Sequence, residues 1–390
     1  MREASFRFNR NLVAVSVAMF LMSLGEQLWK KFLPKYLEAL GAPVTTIGLF
    51  GTAEDFLDGV YQYPGGWIGD RFGRRLALVL FVVISIVGYA IYAFAPRWPW
   101  IFVGLIFVTA WSSMASPTLF STIGDALPPR QRAMGFTVQA ILKRLPIAVA
   151  PTLGGFLIVS RGVTGGVRIS LLLTVALAVL TMIACGFISI ERIPDPGRTR
   201  LGGVWKSLPR ELRRLLLSDV FIRTCEGMVD VFLVLYATNV VGVTAPQFGF
   251  LIAVQMVTSM VAYGPAGHLA DRTGRKPFVV ATFAFFALFP VAVVLSRSFL
   301  SLTAAFVIGG LREVGEPARK AMIVDMVQPA LRARSIGLYY LVRSLCISPA
   351  AFLGGLLWNV TPAFPFMLAG AIGLAGTAVF AITVDERYAS

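Results

Sequence analysis

The sequence predicts an all-α membrane protein of twelve transmembrane helices in two pseudo-symmetric six-helix bundles. Three observations carry this expectation. The 390-residue chain is 57% hydrophobic and only 14% charged, a balance that makes a bilayer its main solvent. Its apolar runs have the length of about 20 residues that a helix needs to cross roughly 30 Å of hydrocarbon, and they do not alternate in polarity as barrel strands do. The second half also repeats landmarks of the first at an offset of about 200 residues, too long a period for a solenoid and right for a duplicated unit.

The apolar runs fall at 12–33, 45–67, 76–95, 99–123, 133–158 and 168–190, then at 216–241, 246–268, 277–296, 299–323, 335–357 and 363–384. The first has no small-residue cleavage site behind a short apolar core, so it reads as a retained span rather than a signal peptide. Residues 1–190 then form one bundle, 191–215 a polar linker opening on Pro194, Asp195, Pro196 and Gly197, and 216–390 the second bundle. Leu208 to Leu217 mixes arginine and leucine at helical spacing, the pattern of a helix lying on an anionic membrane surface or of an ordinary solvated helix.

The net charge is +15, but its basic residues gather in short loops on one side: Arg71, Arg74, Arg75, Arg130, Arg132, the linker cluster, Arg272, Arg275, Lys276, Arg332 and Arg334. The opposite loops hold Lys35, Arg97, Arg161, Arg168 and Arg297. The positive-inside rule then puts both termini and the linker in the cytoplasm of a cell whose inner (plasma) membrane the chain crosses many times, and topology explains the charge without nucleic acid. Cys185, Cys225 and Cys346 lie far apart in apolar runs and read as packing residues. With His268 the only histidine, no metal cluster is indicated and no cofactor is implied. The absence of a nucleophile–base constellation and of a lysine-bearing phosphate loop argues against an enzyme.

Gly69-Asp70-Arg71-Phe72-Gly73-Arg74-Arg75 recurs as Ala270-Asp271-Arg272-Thr273-Gly274-Arg275-Lys276, Ser116-Pro117 aligns with Glu316-Pro317, and Gly154-Gly155 with Gly354-Gly355. Glycines let helices approach and turn tightly, while an aspartate at a helix end accepts hydrogen bonds and pairs with a cation. With Gly65-Gly66-Trp67-Ile68 in front of it, the first loop resembles the signature between helices 2 and 3 of major facilitator superfamily transporters, and the second is its degenerate copy between helices 8 and 9. The resemblance covers nearly the whole chain. It implies that family's twelve-helix fold, alternating access, and a cytoplasmic gate built from Gly66, Asp70, Arg71, Gly73, Arg74 and Arg75 with Asp271, Arg272, Gly274 and Arg275. In helix 5, Ala150-Pro151-Thr152-Leu153-Gly154-Gly155 resembles the proline–glycine motif of proton-coupled drug and small-molecule antiporters, with Ala150 in place of its usual glycine. Helix 4 lacks the arginine typical of proton-driven members, and Ser348 to Gly355 matches the helix 5 motif, so tight packing of small residues explains it as well.

Ionisable residues inside a span cost several kcal/mol unless they pair or face water, so they point to a transport pathway. At about 1.5 Å per residue, Glu54, Asp55, Lys143, Arg144, Glu226, Arg312, Glu313 and Arg343 lie within about 6 Å of the expected midplane. Asp219, Arg223, Glu226 and Asp230 share one helical face, as do Arg312, Glu316 and Arg319. Glu26 and Glu226 are equivalent between helices 1 and 7, which line the central cavity in the family the chain resembles. Glu26, Glu226 and Asp230 are therefore the candidate proton carriers. Glu54, Asp55, Asp58, Lys143, Arg144, Arg223, Arg312, Glu316 and Arg343 are candidates to line a substrate cavity, or to form structural ion pairs. The first functional expectation is proton-coupled efflux of a small organic or drug-like molecule. The alternative is proton-coupled uptake or exchange of an organic anion received by the midplane cations, and a third is a non-transporting receptor or scaffold. The expected partners are a small-molecule substrate, protons and lipid, with the protein a monomer.

Overall fold

The computed structural model describes residues 10–119, 132–188, 209–326 and 332–384, and the regular structure among them is helical. In chain order the helices are α1 (10–39), α2 (Val44–Phe72), α3 (Arg74–Phe94), α4 (Pro99–Leu119), α5 and α6 (together Arg132–Gly186), α7 (210–241), α8 (Ala245–Thr273), α9 (Lys276–Leu295), α10 (299–325), α11 (332–358) and α12 (Phe364–Thr383). Gly162, with φ 73° and ψ 167°, separates α5 from α6. The sequence suggests a longer connection at 159–167, but the helix runs through Arg161 and one left-handed glycine suffices to turn the chain. Among the described residues, 7 helical segments are long and apolar enough to cross a membrane, and one of them, Lys143–Gly186, contains most of α5 and all of α6. The charge-bearing α2, α7 and α10 are not among them.

The described residues pack as two units, one drawn from 1–41 with 57–197 and the other from 42–56 with 198–390. In unit 1, Gly154 of α5 lies against the carbonyl of Leu28 and Gly25 against Thr174. Such small-residue contacts bring helix backbones together where hydrophobic exclusion of water offers no driving force. Trp29 is buried there, donates from Nε1 to Thr174 Oγ1 at 3.2 Å, and packs edge-on to Tyr89 and Tyr92. A side chain on Gly154 would collide with backbone, so Gly154→Ala is expected to cost about 1–3 kcal/mol. It should read as a lower apparent melting temperature in detergent; an unchanged transition would mean that this approach is not tight.

In unit 2, the described part of the arginine–leucine stretch, residues 209–217, is not a separate surface helix. Arg210–Asp230 is one continuous helix, and Leu212, Leu215 and Leu216 are buried with Val279, Phe283, Met322 and Phe380. An arginine–leucine pattern reports an amphipathic helix without saying whether its apolar face meets lipid or protein. The first turns of α2 also belong to this unit. Gly48 and Gly51 pack on Ala351, and the Phe352 amide, one of the orphan donors at the start of the Ala350–Trp358 segment, donates to Thr52 Oγ1 at 3.1 Å.

Candidate functional site

Three helices of unit 2 are interrupted or patterned so as to bring charged side chains together. On α7, Asp219, Arg223 and Glu226 recur at helical spacing. On α10, Phe299–Leu311 stops and a new helix begins at Glu316, with Pro317 in its first turn, where a missing N–H breaks no helical bond. The Gly315 amide freed at this break donates to Thr282 Oγ1 at 2.5 Å. Arg312, Glu316 and Arg319 thus flank the interruption. On α11, Tyr339 and Arg343 lie one turn apart.

The kernel is Arg319, 1% exposed at the side chain. Its guanidinium forks onto Glu316 through Nε at 2.9 Å and Nη2 at 2.6 Å, and its Nη1 reaches Asp219 Oδ2 at 2.8 Å. The Tyr339 hydroxyl donates to the same Asp219 oxygen at 2.9 Å, and Arg343 Nη1 approaches it at 3.3 Å. Arg223 bridges Glu226 at 2.7 Å and Glu316 at 3.4 Å. Arg312 lies 3.8 Å from Glu226, donates from Nε to the Gly309 carbonyl at 2.9 Å, and sits over the rings of Phe286 and Phe289. Lys320 adds a looser 3.8 Å pair with Glu316. Charges in such surroundings persist only when paired. Asp219 Oδ1, Arg223 Nε and Arg343 Nε are buried and have no hydrogen-bond partner among the described residues.

Of the cavity residues expected from sequence, Arg223, Arg312, Glu316 and Arg343 therefore join in unit 2 with Glu226. Glu54 and Asp55, on the α2 segment of this unit, are half-buried, and an Asp55 oxygen would lie 3.9 Å from a Cβ built on Gly227. Asp230 is exposed at the end of Arg210–Asp230. The others belong to unit 1. Glu26 is buried and accepts from the Tyr89 hydroxyl at 2.7 Å. Asp58 accepts from Ser113 at 2.6 Å, where α4 widens into a π-turn over Ala110–Met114. The widened turn leaves the Trp111 amide to Ser85 Oγ on α3, at 2.9 Å; π-bulges of this kind recur at functional sites. Lys143 is exposed and Arg144 half-buried.

In the glycine loops, Gly73 and Gly274 have φ of 88° and 99°, which only glycine adopts without strain. Gly66 faces Pro117, Arg71 lies over Trp67 and Phe72, Arg74 is buried, and Arg75 is exposed. Arg275 is half-buried. The side chains of Asp70, Asp271, Arg272 and His268 lie outside the described residues. Sequence reasoning left Asp219, Arg319, Tyr89 and Ser113 out of the site. Asp219 and Arg319 had a signal in their shared helical faces, and Tyr339 reads from sequence as an aromatic residue able to wall a cavity or to face lipid, but Tyr89 and Ser113 had no signal.

The described residues, with 7 helical segments long and apolar enough to cross a membrane, define a multi-pass membrane protein. A sequence profile of the Major Facilitator Superfamily matches residues 15–225 and 215–390, and the chain belongs to this superfamily. It is 21% identical over 384 residues to the uncharacterised MFS-type transporter MJ1317 of Methanocaldococcus jannaschii, covering 95% of this chain and 94% of that one. It is 24% identical over 208 residues to the quinolone resistance protein NorA of Staphylococcus aureus, covering 53% and 51%. Among solved structures, a POT family transporter in complex with 5-aminolevulinic acid superposes with a TM-score of 0.79 at 14% identity over 98% of both chains. A bacterial homologue of the human lysosomal transporter Spinster superposes at 0.68 and 17% identity over 95% and 91%.

Proposed function

We propose that this transporter is a secondary active carrier that works by alternating access, couples to protons, and takes up or exchanges a small organic anion. The observation that carries the substrate class is the make-up of the network. Among the ion pairs described, five cations, Arg223, Arg312, Arg319, Lys320 and Arg343, are paired with three carboxylates, Asp219, Glu226 and Glu316. Excess guanidinium among these buried pairs favours an anion, and its planar fork matches a carboxylate. This reverses the order of the two substrates expected from sequence. Export of a drug-like molecule is the second reading, favoured by the similarity to NorA over half the chain.

For the proton, Glu26 is the stronger candidate, since the Glu226 carboxylate is committed to Arg223 and Arg312. The protein is taken as a monomer of the inner (plasma) membrane with both termini cytoplasmic, on the one-sided distribution of basic loops. Its bundles, 1–190 and 216–390, are joined by the linker 191–215, and the glycine loops around Asp70 and Asp271 gate the cytoplasmic side.

Proteoliposomes carrying a luminal pH dye test this reading. Adding gluconate, glutamate or glutarate is expected to acidify the lumen. Glu26→Gln should abolish the proton signal while sparing carboxylate exchange, and a Gln variant that still moved protons would remove Glu26 from the role. Proton release from acid-loaded vesicles on adding ethidium, with no response to carboxylates, would establish the second reading instead.

A further inference from the structure

The four arginines of the network are not held alike. Arg319 makes three charge-assisted bonds of 2.6–2.9 Å. Arg223 spans two carboxylates and lies on Phe286, and Arg312 is stacked on two phenylalanines with its Nε on a carbonyl. Among the described residues Arg343 has one ion pair, to Asp219, and at 3.3 Å it is the longest of the three bonds converging on Oδ2. Its side chain is 17% exposed where that of Arg319 is 1% exposed. Its guanidinium lies 4.6 Å from the Tyr340 ring centroid, a stacking that covers the face of the group and leaves its edge for hydrogen bonds. On that edge Nε is buried and has no acceptor among the described residues.

We propose that Arg343 is the substrate-anchoring cation and Asp219 its exchangeable counter-ion: an incoming carboxylate takes the Nε–Nη edge of Arg343, whose Nη1 leaves Asp219 Oδ2. The inference rests on the organic-anion reading above and adds the anchor and the exchange. Asp219 survives the departure because Arg319 and Tyr339 still donate to the same oxygen. The anchor gains a bidentate partner and an acceptor for its orphaned Nε, and bidentate charge-assisted pairs are the stronger ones. Protein and substrate carboxylates therefore compete for one arginine. That competition gives substitutions at the two positions opposite effects on binding.

The test is carboxylate binding to the purified full-length protein in detergent, read as the midpoint of the melting-temperature rise across a concentration series. Acetate, glutarate, gluconate and glutamate are the probes and ethidium is the comparison. Arg343→Gln is expected to weaken the best carboxylate at least tenfold, with Arg343→Lys intermediate. Asp219→Asn, which removes the competitor, is expected to tighten it several-fold. Tyr339→Phe covers the case in which Asp219→Asn does not fold: with one donor fewer on Oδ2, Asp219 holds Arg343 harder, and the same probe should bind several-fold more weakly. Carboxylate binding that Asp219→Asn weakens in step with Arg343→Gln, or that Tyr339→Phe leaves unchanged or tightened, would overturn the exchange while leaving the anion reading intact. A wild-type protein stabilised by ethidium and by none of the four carboxylates would overturn the anion reading itself.

Discussion

Replacing Arg319 with methionine is expected to destabilise the protein by about 3–5 kcal/mol, because it leaves two buried carboxylates without their shared cation. Asp219 is 0% exposed and Glu316 7%; each loses a bond shorter than 3 Å, and Glu316 loses a fork. For a unit of this size the loss corresponds to a fall in melting temperature on the order of 10 °C, measurable in detergent by the loss of monodisperse protein on heating. Methionine fills much of the volume, so the loss reports charge more than cavity. Adding Asp219→Asn and Glu316→Gln to the methionine variant should recover a substantial part of it, since replacing a whole buried ionic group is far less costly than breaking it. If the triple variant were no more stable than the single one, packing rather than charge would be what Arg319 supplies.

The second large effect concerns transport. Arg223→Lys preserves the charge and most of the length, yet a lysine is a compact point charge that neither bridges two carboxylates in a fixed fork nor stacks on a ring. Arg223 does both, at 2.7 and 3.4 Å to Glu226 and Glu316 and 5.1 Å from the Phe286 centroid. The initial uptake rate in proteoliposomes, normalised to inserted protein, should drop on the order of 100-fold, about 2.7 kcal/mol, comparable to the loss of one or two hydrogen bonds to charged groups. Arg214→Gln is the matched control. Its pair with Glu211 has side chains 43% and 27% exposed, and such pairs contribute roughly 0–1 kcal/mol. Equal losses in both variants would show that general positive charge, not the Arg223 bridge, supports transport.

The helices were legible in the amino-acid sequence because a bilayer imposes a length and an apolarity that few other environments require. The charged candidates were legible for the complementary reason: Glu226, Arg223, Arg312, Glu316 and Arg343 stand out where charge is costly. Less legible was everything that depended on a partner. Leu212, Leu215 and Leu216 form an apolar stripe either against lipid or against Phe283 and Met322, and the stripe is the same in both cases. Residues 159–167 look polar and small enough to be a loop, while Gly162 alone turns the chain. Depth along the helix also misled. Asp219 and Arg319 lie away from the expected midplane and were left out of the site, yet they anchor it.

The amino-acid sequence by itself thus determined the class of protein, its helical membrane fold, and the glycine-bearing loops at Gly73 and Gly274, all set by chain-local properties: length, hydropathy and the backbone freedom of glycine. Which charges meet was decided only by the tertiary structure. Asp219 shares a helical face with Arg223, but its nearest cation is Arg319 on α10 and its hydroxyl donor is Tyr339 on α11; Glu26 meets Tyr89, 63 residues away. Ion pairs and hydrogen bonds are made at about 3 Å, and separations that short between distant parts of the chain are fixed by how helices pack, not by the spacing of residues along any one of them.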